Sequence, residues 1–246
     1  MKILVASTSI LSHALAEHYK AQNNQVDCVD CCETMDGVAY DMVVYDSIPT
    51  QEDRYAVRDG YSHLLDFSDV VVTAYRLTND HPGALHVVMS SDEALYLDGG
   101  FYGKNRKLVE DVYALAGRYL VVRCAQVLGN APNDLLDRLL GYQPIPYTPD
   151  SQLQFVSLQD VVTLTAACVE GERFQSVVTA AGRGCVTIEE LCKMAGVTSL
   201  VADGARRLVR DCDSTSVTNV HALKHSKDYA MEYIGRKKNL EATNRG

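Results

Sequence analysis

No glycine occurs before Gly37 in this 246-residue chain, although its opening stretch, "MKILVASTSILSHALAEHYKAQNNQVDCVD", has the pattern of a strand, a tight turn, a helix and a second strand. Positive charge is also short: 23 Lys and Arg stand against 32 Asp and Glu, a net charge of -9. No basic cluster precedes "GRKK" near the C-terminus, so no nucleic-acid-binding surface is expected. No apolar run reaches membrane-spanning length and no signal pattern opens the chain, which sets the expectation of a soluble cytoplasmic protein without a membrane partner. Tryptophan is absent and tyrosine frequent, which decides nothing about function. The eight cysteines include "CVDCC" (Cys28, Cys31, Cys32), yet no second CxxC pair and no histidine pair stands at zinc spacing. No metal site is expected, and most thiols read as small core residues. Nor is there a GxSxG elbow or a Ser-His-Asp order.

What is present is an alternation. Residues 2–6 form a short apolar run suited to a buried parallel strand. Ser9 reads as the N-cap of a helix to about Gln22, with Ile10, Leu11, Ala14, Leu15 and Tyr19 on one face. "QVDCVD", "YDMVVYD" (40–46) and "ALHVVMSS" (84–91) read as strands, with helical sequence over 59–78. "GKNRKLVEDVYALAG" predicts a helix with an apolar stripe of Leu108, Val112 and Leu115, and "RYLVVRCAQVLG" a further strand. Residues 130–154 hold most of the prolines and leave the sheet. Beyond them, Ser157 with Asp160 and Thr187 with Glu190 have capping-box spacing at two more helices. The order predicts an α/β fold: a Rossmann-like doubly wound parallel sheet with a small C-terminal lobe. A nucleotide-binding core over 1–129 and a reduced substrate lobe over 130–246 would form one structural unit.

Five places, taken in order, resemble the extended short-chain dehydrogenase/reductase superfamily, the branch of nucleotide-sugar epimerases, dehydratases and reductases. They are "MKILVAS" leading into a helix, Asp30 closing the second strand, "VVMSSDEALY", "YGKNRKLVED", and "VVRCAQVLG" with the later "FVSLQDVV". The resemblance implies NAD or NADP as cofactor and a nucleotide-linked sugar as substrate. It also implies a longer substrate portion than 130–246 supplies, so a pocket here would be shallow or completed by a partner chain, as in a homodimer.

Against the family's GxxGxxG turn this chain sets Ser7, Ser9 and Ser12, with Thr8 between and the turn one residue shorter. Glycine serves there because the backbone needs positive φ and a side chain would fill the phosphate's place. A serine in that conformation costs about 1 kcal/mol, and its Cβ and hydroxyl push a pyrophosphate from the helix N-terminus. Two readings stand: hydroxyls that cap the helix along a different path, or hydroxyls that bind phosphate. Asp30 matches the family's ribose-binding acid, which favours NAD over its 2′-phosphorylated form, and also reads as a solvated strand end. Asp46 ends a strand where the family has a small residue close to the cofactor, and its carboxylate would repel a dinucleotide.

"SSDEALY" resembles the family's "STDEVYG", which makes Ser91 the hydroxyl that holds a substrate oxygen and Asp92 and Glu93 an acid and base, with one residue inserted before Tyr96. "YGKNRKLVED" resembles "YGxSKxxxE", which makes Tyr102 the acid/base during hydride transfer. The family's lysine falls four residues after the tyrosine, where this chain has Arg106, with Lys107 next. Arginine supplies the charge with a different shape and reach. Bland alternatives are a surface tyrosine and a solvated helix face. Arg123 and Asp160 match family positions that are more often structural. Two functions follow: an NAD(P)-dependent enzyme of nucleotide-linked sugars, or a catalytically inactive binding or regulatory protein with a protein partner.

Overall fold

The computed structural model describes residues 1–7, 9–29, 37–46, 63–96, 100–129, 133–198 and 201–244, arranged as two compact units. The first comprises Met1–Arg123 and Val162–Val178, the second Cys124–Val161 and Thr179–Gly246.

The first unit is built on strands β1 (Lys2–Ala6), β2 (Gln25–Val29), β3 (Met42–Asp46), β4 (Leu85–Ser91) and β5 (Tyr119–Cys124). Together with β10 (Ser176–Ala180) they form a six-stranded sheet in the order β10-β5-β4-β3-β1-β2. β1 pairs in parallel with β2 and β3, and β3 with β4. This is the doubly wound parallel sheet expected from the sequence. Helices α1 (Ile10–Ala21), α2 (His63–Asp80) and α3 (Gly100–Ala114) connect the strands, and most of α5 (Leu158–Glu170) lies in the same unit. β3 and β4 are buried along their whole length, as strands covered on both faces must be.

Alternation along the strands divides the core. Leu4, Ala6, Val43, Tyr45, Val88 and Val121 point to the side where Ala74 and Leu77 of α2 and Val109 and Tyr113 of α3 pack. His86 lies against Tyr113 in this core, and burial lowers its pKa to about 4, so the ring is neutral.

Two expectations about helix faces need correction. Ile10 is exposed, and the buried face of α1 is Leu11, Ser12, Leu15, Ala16 and Tyr19. Leu108 of α3 is 54% exposed and Leu115, the residue after its end, 89%, with Val112 partly buried. The buried residues there are Asn105, Arg106, Val109, Glu110 and Tyr113. Hydrophobic periodicity pointed to the wrong side because the buried face of α3 is largely polar.

The second unit carries β6 (Gln126–Leu128), β7 (Ile145–Tyr147), β8 (Gln152–Leu153), β9 (Phe155–Ser157), β11 (Val186–Thr187) and β12 (Val201–Arg206). They pair two by two, β6 with β9, β8 with β11 and β7 with β12. Helices α4 (Asp134–Leu140), α6 (Ile188–Ala195) and α7 (Ser226–Asn244) complete it. The Thr187–Glu190 capping box forms as the spacing predicts. Buried Gln154 holds the irregular chain around it, donating to the carbonyls of Gly182 and Cys212 and accepting the Cys212 N–H. Among the described residues no helix is long and apolar enough to cross a membrane.

At the start of α5 the Ser157 hydroxyl accepts the Asp160 N–H at 3.0 Å and donates to the Asp160 carboxylate at 2.6 Å. His221 Nε2 lies 2.7 Å from the other carboxylate oxygen. Burial opposes ionisation of Asp160, but hydrogen bonds from Ser157, His221 and Tyr229 outweigh it and lower its pKa. A carboxylate depressed in the folded state contributes its full stabilisation above the ordinary value of about 4, and loses it as the pH falls through the folded-state pKa. The melting temperature of Asp160→Asn should therefore lie below that of the parent near neutral pH, and the gap should close below about pH 4. Parallel thermal melts across that range check this.

Candidate active site

In a doubly wound sheet, ligands lie beyond the carboxyl ends of the strands, where the strand order reverses. Here that place is the pair β1 and β3: the chain leaves β1 for β2 on one side and returns to β3 on the other. Ser7, Ser9 and Ser12 stand at the end of β1, and Asp46 ends β3.

Ser9 is the N-cap of α1, its hydroxyl accepting the Ser12 N–H at 3.1 Å. Its own N–H goes to the Ser7 hydroxyl at 3.1 Å, and the buried Ser12 hydroxyl donates to the Ser9 carbonyl at 2.9 Å. With φ -70° and ψ 156°, Ser9 has ordinary extended backbone, and neither Ser7 nor Ser12 has positive φ. The left-handed penalty weighed from the sequence does not arise, because the shortened turn passes through an extended cap. The Ser9 hydroxyl also donates to the carboxylate of buried Asp46. A negative group of the protein's own thus reaches the α1 N-terminus, where helix dipole and free N–H groups favour an anion. Thr8 and Asp30 lie outside the described residues.

At the end of β4, buried Ser91 caps a 3₁₀ turn (Asp92–Leu95), accepting the Glu93 N–H at 3.2 Å and donating to Asp92 at 3.2 Å. Asp92 is buried and Glu93 half-buried. The first turns of α3 pack against this 3₁₀ turn at Gly103, where a Cβ would stand 2.5 Å from the Glu93 carbonyl oxygen. The glycine of "YGKNR" is therefore required by close approach, and it brings the segment carrying Tyr102 against the segment carrying Ser91.

Arg106 lies one helical turn beyond Tyr102. It is 0% exposed, and Nε and both terminal nitrogens lack a hydrogen-bond partner among the described residues. The guanidinium carbon sits 5.1 Å from the centroid of the half-buried Tyr102 ring. The solvated-face reading of Arg106 is thereby overturned. It holds for Lys107, which is exposed and paired with Asp111 on its own helix.

Sequence reasoning missed Glu110 and Ser90. Arg123 grips Glu110 through two bonds, Nε to Oε1 at 2.9 Å and a terminal nitrogen to Oε2 at 2.6 Å. The Ser90 hydroxyl adds a third at 2.8 Å. The signal was available: Glu110 lies eight residues after Tyr102, about two turns on along the same face.

No protein-family model and no curated protein matches the chain. Solved structures do. A dTDP-4-dehydrorhamnose reductase from Clostridium acetobutylicum is similar with a TM-score of 0.68 over 97% of this chain and 100% of that one, at 17% identity. A short-chain dehydrogenase/reductase superfamily protein from Agrobacterium tumefaciens, solved with bound NAD, gives 0.67 over all of both chains at 13% identity. A dTDP-glucose 4,6-dehydratase from Bacillus anthracis in complex with NAD gives 0.65 over 98% of each, also at 13%. The fold is that of the extended short-chain dehydrogenase/reductases. Within this short-chain dehydrogenase/reductase fold, Gly103→Ala is expected to cost about 1–3 kcal/mol through overpacking. Denaturant unfolding of the variant against the parent measures it.

Proposed function

We propose that the protein is an enzyme acting on a nucleotide-linked sugar, of the NAD(P)-dependent epimerase, dehydratase or reductase kind. The observation that carries this reading is Arg106. A buried guanidinium with no partner costs several kcal/mol, a cost offset when a ligand completes the site. Tyr102, whose ring lies 5.1 Å from the guanidinium carbon, would give and take a proton at a sugar hydroxyl, and Ser91, at the start of the turn that Gly103 packs against, would hold the oxygen. A nicotinamide dinucleotide would supply hydride transfer. The Tyr102 end suits such a ligand, whereas the Ser9–Asp46 contact, as it stands, does not suit a diphosphate at α1.

That contact favours a second reading, a binding or regulatory protein that no longer holds a dinucleotide and works through a protein partner. Titration calorimetry with NAD+, NADH, NADP+ and NADPH separates the two. The enzyme reading expects one form to bind with a Kd near 1 μM, about -8 kcal/mol. No heat from any form up to about 1 mM, roughly -4 kcal/mol, would sink it in favour of the second. Where turnover is found, Tyr102→Phe should lower it by about 100-fold or more while fold and cofactor affinity persist. Unchanged turnover would remove Tyr102 from the mechanism.

A further inference from the structure

We propose that Arg106 is the seat of an oxyanion-binding site, so that the molecule taken up beside Tyr102 carries a carboxylate or a phosphate group. The inference rests on the reading that the Tyr102 end of the first unit binds a small molecule, and it specifies that molecule's chemistry.

The argument is one of charge. Four residues keep buried side-chain polar atoms without a partner among the described residues: Tyr19, His86, Arg106 and Tyr113. The first and last are neutral hydroxyls, and burial keeps the His86 ring neutral with a pKa lowered to about 4. Arg106 is the charged member of that set, and arginine does not shed its proton within a protein.

Four carboxylates of the first unit have partners other than Arg106. Both Glu110 oxygens are taken by Arg123, with Ser90 on one of them. Asp46 accepts from Ser9, Asp92 from Ser91, and Asp111 pairs with Lys107. A neutral diol, such as a ribose, could accept some of the guanidinium N–H groups but would leave the charge uncompensated. A carboxylate or phosphate satisfies both, because two of its oxygens match the planar fork of N–H donors.

The α1 N-terminus points the same way. Asp46 already supplies negative charge to the Ser9 cap, so the anion-binding capacity of that helix end is met from within the chain. The unmet demand lies at Arg106. The Tyr102 ring, half-buried at the start of α3, lies over the guanidinium, 5.1 Å from its carbon to the ring centroid.

The test is thermal unfolding and calorimetry of the full chain with sodium phosphate, sodium pyrophosphate or sodium malonate, at ionic strength matched with sodium chloride. The parent should show a saturable rise in melting temperature with at least one of these anions. A response to phosphate or pyrophosphate assigns a phosphate-bearing ligand, and a response to malonate alone a carboxylate-bearing one. Arg106→Met should melt about 5 °C higher than the parent without added anion, because it removes an unpaired buried charge, and should lose the anion response. Arg106→Lys keeps the charge without the fork, and its Kd for the anion should be at least about tenfold weaker.

Absence of a saturable response in the parent, or a response preserved in Arg106→Met, overturns the proposal. So does a lower melting temperature of anion-free Arg106→Met, which would make Arg106 a structural residue. Failure of the enzyme reading looks different: none of the four dinucleotides binds while the Arg106-dependent anion response remains.

Discussion

The buried ion pair between Glu110 and Arg123 holds the site together. Glu110 lies on α3 and Arg123 on β5, and with Ser90 of β4 they tie the helix to two neighbouring strands through three hydrogen bonds. Side-chain exposures of 3% and 14% leave little water to compete, so loss of either partner would strand the other's charge. The pair fixes α3 along its axis and in rotation. Tyr102 and Arg106, two turns and one turn before Glu110, take their positions from that anchor, and Gly103 lets the helix start touch the Glu93 carbonyl.

Around this anchor, charge is distributed unevenly. The α1 N-terminus, where a dinucleotide-binding sheet ordinarily presents bare N–H groups, has a serine cap and a carboxylate of its own chain. Two strands away the opposite holds, with a full positive charge buried under the Tyr102 ring and no hydrogen-bond partner among the described residues. The first feature reduces the demand for a bound anion and the second creates one. Both features sit on one parallel sheet, that of the short-chain dehydrogenase/reductase fold.

Much of this was legible from residue order. The βαβ alternation, the Ser9 cap and the Thr187–Glu190 box depend on contacts within a few residues, and they stand where the sequence placed them. The faces of α3 were not legible, because periodicity weighs apolar side chains and this helix buries Asn105, Arg106 and Glu110 while exposing Leu108. The turn was legible only in part: capping by Ser9 was foreseen, whereas a bond from Ser9 to a carboxylate 37 residues away was not.

The sequence by itself determined the element order, hence the parallel doubly wound sheet, and it determined which residue types meet the ends of its strands. Local backbone preference and hydrophobic period are properties of neighbouring residues, so they can be read in one dimension. Tertiary structure alone decided which charges are neutralised. Arg106 and Lys107 are adjacent in the chain, yet one is buried without a hydrogen-bond partner among the described residues and the other is exposed and paired on its own helix. Position around a helix axis sets that difference. The cost or gain of each charge depends on the groups and the water that the fold puts around it.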